Sequence, residues 1–105
     1  MSGTALFSDQ WYRVKDLKPT PRRQLKVHRH YYRGAAWYVV EAPSRTQQLR
    51  LNDAAYHVFS QLDGTRTVEE IWQRAMSTLG DDAPTQQEVI NLLAELAEYG
   101  MATFG

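Results

Sequence analysis

LRLNDAAYHVFSQLDGTRTVEEIW, residues 49–72, changes its hydrophobic period midway. Leu49 and Leu51 flank Arg50 in strand-like alternation. After them Ala54, Ala55, Val58, Phe59 and Leu62 recur at the spacing of a helix. Asn52 or Asp53 supplies the side-chain acceptor that caps such a helix, and Asp63-Gly64 stops it. Thr67 and Glu70 match a capping box, in which each side chain satisfies the other residue's free amide, so a second helix starts at once. It carries Val68, Ile71, Trp72, Ala75, Met76 and Leu79 and is capped by Gly80. Strand, helix and helix follow one another with no nucleophile turn, thiol or phosphate loop between them. That pattern describes a scaffold rather than a reaction centre.

Downstream, Asp81-Asp82-Ala83-Pro84 is a loop, and Thr85 with Glu88 forms a second capping box. The helix it opens runs to about Tyr99 and stops at Gly100. On a helical wheel its apolar residues cover more than half the circumference, with Val89, Leu93, Leu96 and Ala97 at the centre. Ile90 and Ala94 extend one flank, and Leu92 and Tyr99 the other. A surface helix needs only a stripe a little over ~100° wide. Either the helix is wedged between neighbours, or one flank lines a groove that a partner fills.

Upstream the pattern is β. LKVHRHYYR, from Leu25, is rich in β-branched and aromatic residues, Gly34-Ala35 is a turn, and AWYVVEA, residues 36–42, is the clearest strand. Pro43-Ser44 breaks it, and a third strand spans residues 46–51. Three antiparallel strands followed by three helices predict an α+β domain over residues 25–105. Residues 1–24 are expected to be an extended arm, because LKPTPRR places two prolines close together. Its apolar cluster Leu6, Phe7, Trp11 and Tyr12 suits docking, onto its own domain or onto a neighbour.

The 105 residues form one domain with a modest core and no cysteine, which excludes disulfides and thiolate chemistry. No stretch approaches the ~20 apolar residues of a membrane span, and no secretory signal opens the chain, so it is expected to be soluble and cytoplasmic. The zero net charge divides unevenly. Residues 1–50 hold ten Lys/Arg against three acids, and residues 51–105 hold two against nine, +7 against −7. Such asymmetry suits an anionic surface, a membrane included, or mutual attraction of the halves.

Few side chains suggest chemistry. His28 and His30 share one face of a strand and could bind zinc, but a third ligand would have to come from His57 or a distant carboxylate. No metal or other cofactor is expected. His57 lies in AYHVF without an HExxH pattern, and Ser60 and Ser77 lie in ordinary helix sequence, so no catalytic residue is assigned. The successive capped helices resemble a helix-turn-helix, yet the last one carries Glu88, Glu95 and Glu98 and no basic residue. It would repel a duplex, so nucleic acid is not an expected partner.

These elements taken in order, Leu51-Asn52 with Ala54-Ala55, Asp63-Gly64, Thr67-Val68-Glu69-Glu70-Ile71, and Leu93-Ala94-Glu95-Leu96 before Gly100-Met101, resemble the PqqD-like family over residues 25–104. Those are peptide-recognition domains of pathways that modify ribosomally made peptides. The resemblance implies a winged-helix-like fold with a three-stranded sheet and three helices. It also implies that a precursor's leader peptide, in extended form, pairs with the third strand and packs on the third helix. Carried onto this chain, the binding residues are Thr46, Gln47, Gln48, Leu49, Arg50 and Leu51 on the strand, and Ile90, Leu92, Ala94 and Tyr99 on the helix flanks.

LFSDQWYRV, the Pro-Arg-Arg run, HRHYYRG, AWYVVE and GDDAPTQQEVI together are similar to the N-terminal region of bacterial peptide zinc metalloproteases of the M50, site-2-protease-like class. There a PqqD-like domain precedes a membrane-embedded protease. This chain has neither HExxH nor membrane helices, so the resemblance assigns any proteolysis to a longer parent protein and leaves this domain a non-enzymatic, regulatory role.

Overall fold

The computed structural model describes residues 10–42 and 48–104. In chain order the elements are α1 (Trp11–Val14), β1 (Pro19–Pro21), β2 (Lys26–Tyr32), β3 (Ala35–Glu41), β4 (Gln48–Leu51), α2 (Asp53–Ser60), α3 (Val68–Leu79), α4 (Gln86–Glu98) and β5 (Ala102–Phe104). A short 3₁₀ turn, Gly80–Asp82, joins α3 to the loop before α4. The expected α+β order is observed: an antiparallel sheet β2-β3-β4 precedes the three main helices. The third strand begins at Gln48, and Thr46 and Gln47 lie outside the described residues.

Register explains the sheet's two faces. Tyr38 pairs with Leu51 and Val40 with Leu49, so these side chains share one face, where Val40, Leu49 and Leu51 are buried. The expected turn at Gly34-Ala35 is shifted by one residue, since Ala35 already pairs with Tyr32. The two-residue loop is Arg33-Gly34, with φ of 54° and 78°. Positive φ at both positions gives a tight turn whose twist matches that of the strands.

The helix ends follow their capping residues. Asn52, rather than Asp53, caps α2, its Oδ1 accepting from the Ala55 amide at 2.8 Å. Both capping boxes are complete. The Thr67 amide donates to Glu70 Oε1 at 2.8 Å and the Thr85 amide to Glu88 Oε1 at 2.8 Å, with the reciprocal bonds in place. At the end of α4, Gly100 takes φ 68°, its amide donates to the Ala97 carbonyl, and the Met101 amide donates to that of Leu96. This is the paired-bond ending that left-handed glycine permits, and it turns Met101 into the core, where it is fully buried.

Residues 1–24 require a correction. Over its described part the expected extended arm contains a helical turn and a strand. Trp11 packs edge-on against Trp72 at 5.3 Å, Val14 is buried, and β1 pairs antiparallel with β5, a strand the sequence pattern had not suggested. The carbonyls of Leu17 and Lys15 accept from the Val68 and Glu69 amides, filling the free donors in the first turn of α3.

Gly64 ties β1 to the turn after α2. Its amide donates to the Pro19 carbonyl at 2.9 Å, its φ is 81°, and a Cβ there would meet Thr20 Oγ1 at 2.6 Å. Beside it, three donors from Thr65 and Arg66 converge on Asp63 Oδ1, and the two Thr65 bonds, backbone first, hold the Asp63 carboxyl below its ordinary range. Gly64→Ala is expected to lower stability by about 1–2 kcal/mol, part strain and part contact. Denaturant midpoints check this. Adding Thr20→Ala recovers only the contact part.

Candidate peptide-binding groove

The strand order leaves β4 at the edge of its sheet, with β3 on one side and, among the described residues, no strand on the other. An edge strand presents amide and carbonyl groups that another extended chain can use. At the C-terminal end of this edge lies a cleft of about 470 Å³. Arg50 and Leu51 of β4 lead into it. Ala54, Ala55 and Val58 of α2 form one wall, and Val89, Asn91, Leu92 and Glu95 of α4 the other. Trp37 from β3 and Asp82, Ala83 and Pro84 close its ends.

Local chemistry fixes each wall. The Asn52 cap starts α2 directly after β4, which presents Ala54 and Ala55, two small side chains, to the cleft. Trp72 Nε1 donates to the Pro84 carbonyl at 3.1 Å and anchors the loop before α4. The Thr85–Glu88 box then sets where α4 begins. The floor is apolar, with Leu51, Val58, Val89 and Leu92 all buried, and the rim carries Asp82, Glu88 and Glu95 against Arg50. A groove of this composition has room and chemistry for apolar side chains, beside a strand edge whose main-chain groups are open to pairing.

The residues taken from the resemblance separate into those at the cleft and those away from it. Arg50, Leu51 and Leu92 line it. Leu49 faces the core, and the exposed Gln48 donates its side-chain amide to Glu41. Ile90, Ala94 and Tyr99 do not line the cleft. Ile90 and Leu92 are each only 5% exposed, so of the two readings of the wide apolar arc it is the wedged helix that the burial favours. The helix packs against α1, α2 and β5. Leu92 is left as a floor residue beneath an opening, not as an exposed ridge. The α2 wall and the Ala83-Pro84 end were not assigned from sequence. The signal available was the pair of alanines following Asn52.

Elsewhere the side chains have local uses. The His28 and His30 rings are 6.5 Å apart, and His28 Nε2 lies 3.3 Å from Glu41 Oε1. Among the described residues no group of three His, Cys, Asp or Glu converges as a metal site. The Ser60 hydroxyl donates to the backbone carbonyl of His57, not to its ring. Tyr38 stacks on Tyr56 at 4.0 Å, and burial together with the neighbouring Asp53 carboxylate raises its hydroxyl pKa. No helix among the described residues is long and apolar enough to cross a membrane.

No curated protein and no solved structure matches the chain at a significant level. A family model described as coenzyme PQQ synthesis protein D (PqqD) matches residues 38–102, from the middle of β3 to the start of β5. The matched span holds β4, α2, α3 and α4 complete, and with them every residue lining the cleft except Trp37. The chain therefore belongs to the PqqD family, whose domains are non-catalytic and bind precursor peptides.

Proposed function

We propose that this domain, winged-helix-like in its layout, holds an extended, leader-like peptide by strand addition along β4, with the peptide's apolar side chains seated in the cleft against α4. The observation that carries this is the coincidence of a strand edge left unpaired among the described residues with an apolar-floored cleft at its end. Backbone pairing supplies affinity whatever the peptide's sequence, and the pocket over Leu51 and Leu92 selects among side chains. The candidate contacts remain those of residues 46–51 and the α4 flank, with Leu92 favoured over Ile90 because it alone of the two lines the cleft.

The motifs of the N-terminal half support placing the domain at the cytoplasmic N-terminus of a longer, membrane-bound M50-type zinc metallopeptidase, as a regulatory peptide-binding module. A free-standing chaperone that delivers a precursor to a modifying enzyme is supported equally by the family. A reading frame continuing past Gly105 into apolar segments with HExxH separates the two.

Asn91 is exposed on α4 and lines the cleft, so Asn91→Trp fills the groove without entering the core. The variant is expected to weaken binding of peptides selected from an extended-peptide library by at least about tenfold, with stability within about 0.5 kcal/mol of the parent. Calorimetric titration and thermal melts measure the two. Selected peptides whose amide shifts avoid both β4 and α4 would overturn the proposal.

A further inference from the structure

The β2–β3 hairpin stands apart from the groove's α4 wall and lies largely outside the family match. All seven residues of β2 are exposed, on both faces. Pairing places Val27, Arg29 and Tyr31 on the helix side, and Lys26, His28, His30 and Tyr32 on the other. Near the tip, Tyr31 and Tyr32 are 68% and 64% exposed. The Arg29 guanidinium lies over the Tyr31 ring at 4.8 Å and that of Arg33 over Tyr32 at 5.3 Å. The ribbon's single acid, Glu41, sits at its base and pairs with His28. Asp53 and Asp82 line the trough between the inner side and α2, and Lys26 on the outer face stands in register with Glu41, so the basic part of the ribbon is its tip, with Arg33 outermost.

A second observation concerns Arg33 itself. It occupies a left-handed position, φ 54°, in a turn where glycine or asparagine sits at lower cost. A guanidinium is held at the outermost point of the ribbon against its own backbone preference. Tyrosine rings with cations beside them suit the boundary between water and lipid, where the ring is half-immersed and the charge meets headgroups. A single nucleic-acid strand would require a concave basic track and open aromatic faces. Here Arg29 lies over the Tyr31 ring and Arg33 over the Tyr32 ring, so each ring has one face taken by an arginine rather than left open for a base.

We propose that the hairpin docks the domain, tip first, onto an anionic phospholipid bilayer, with Tyr31 and Tyr32 at headgroup depth and Arg29 and Arg33 against the lipid charges. This goes beyond the peptide reading, and of the hairpin's own residues only Trp37 also lines the groove.

The test is sedimentation of the full chain with phosphatidylcholine vesicles, with and without phosphatidylglycerol. Binding is expected only with the anionic lipid and is expected to weaken as salt rises. Arg29→Gln and Arg33→Gly should each reduce partitioning about fivefold. Arg33→Gly should also hold or raise the thermal midpoint, which separates lost docking from lost fold. Tyr31→Ser with Tyr32→Ser should reduce binding at constant charge. Equal partitioning to neutral vesicles, or anionic binding untouched by these variants, overturns the proposal. So does tighter binding to a single-stranded RNA oligonucleotide that is lost with the same variants.

Discussion

A chain beginning at Leu25 is expected to be strongly destabilised. Deleting residues 1–24 removes Val14, whose burial stabilises by about 1.5–3 kcal/mol, and the Trp11–Trp72 contact, which adds roughly 0.5–1.5 kcal/mol beyond area. It also strips the Val68 and Glu69 amides and the Gly64 amide of their partners, and leaves β5 without β1. Together these amount to ~4 kcal/mol or more, a large part of the ~5–15 kcal/mol typical of a domain. The thermal midpoint should fall by roughly 15–30 °C. Circular dichroism melts of the two chains decide it: an unchanged midpoint would mean that residues 1–24 are the dispensable arm their prolines suggest.

Glutamate at either flank of α4 is expected to be nearly as damaging. Ile90 and Leu92 are equally buried, so Ile90→Glu and Leu92→Glu each force a carboxylate into apolar surroundings, at a cost of several kcal/mol. The conservative partners behave differently. Ile90→Val should cost about 0.5–1.5 kcal/mol, and Leu92→Met under ~1.5 kcal/mol. Because Leu92 alone of the two floors the cleft, Leu92→Met should change which peptides bind, whereas Ile90→Val should not. If Leu92→Glu melted like the parent, the helix would have the free flank that its wide apolar arc allowed.

Features set by neighbours in sequence were the legible ones. Thr67 with Glu70, Thr85 with Glu88, and Gly100 after an apolar run each carry their structural cause within four residues, and all three mark helix ends as expected. The four residues of α1 are too few for any period to register, and Pro-Thr-Pro becomes a strand only because Ala102–Phe104 comes to lie beside it. The site divides the same way. Leu51 and Leu92 could be named because strand alternation and the helical wheel mark them. The wheel could not say whether Ile90 or Leu92 stood beneath an opening, since that depends on where α1, α2 and β5 settle around the helix. The alanines of α2 became a wall for a reason equally invisible in sequence, the placement of α4 across the cleft from them.

The β1–β5 ribbon also sets an order of events. It joins positions 19 and 104, nearly the whole described chain, whereas β4, α2, α3 and α4 are successive and meet through nearer contacts. Closing so long a loop is entropically slow, and contacts of high sequence separation form late. On the ribosome, where residues emerge at roughly 5–20 per second, the groove's walls can therefore assemble while β1 still waits for its partner strand. The β1–β5 pairing would close only near the end, so the nascent domain passes through an interval in which its groove exists but its base is unlatched.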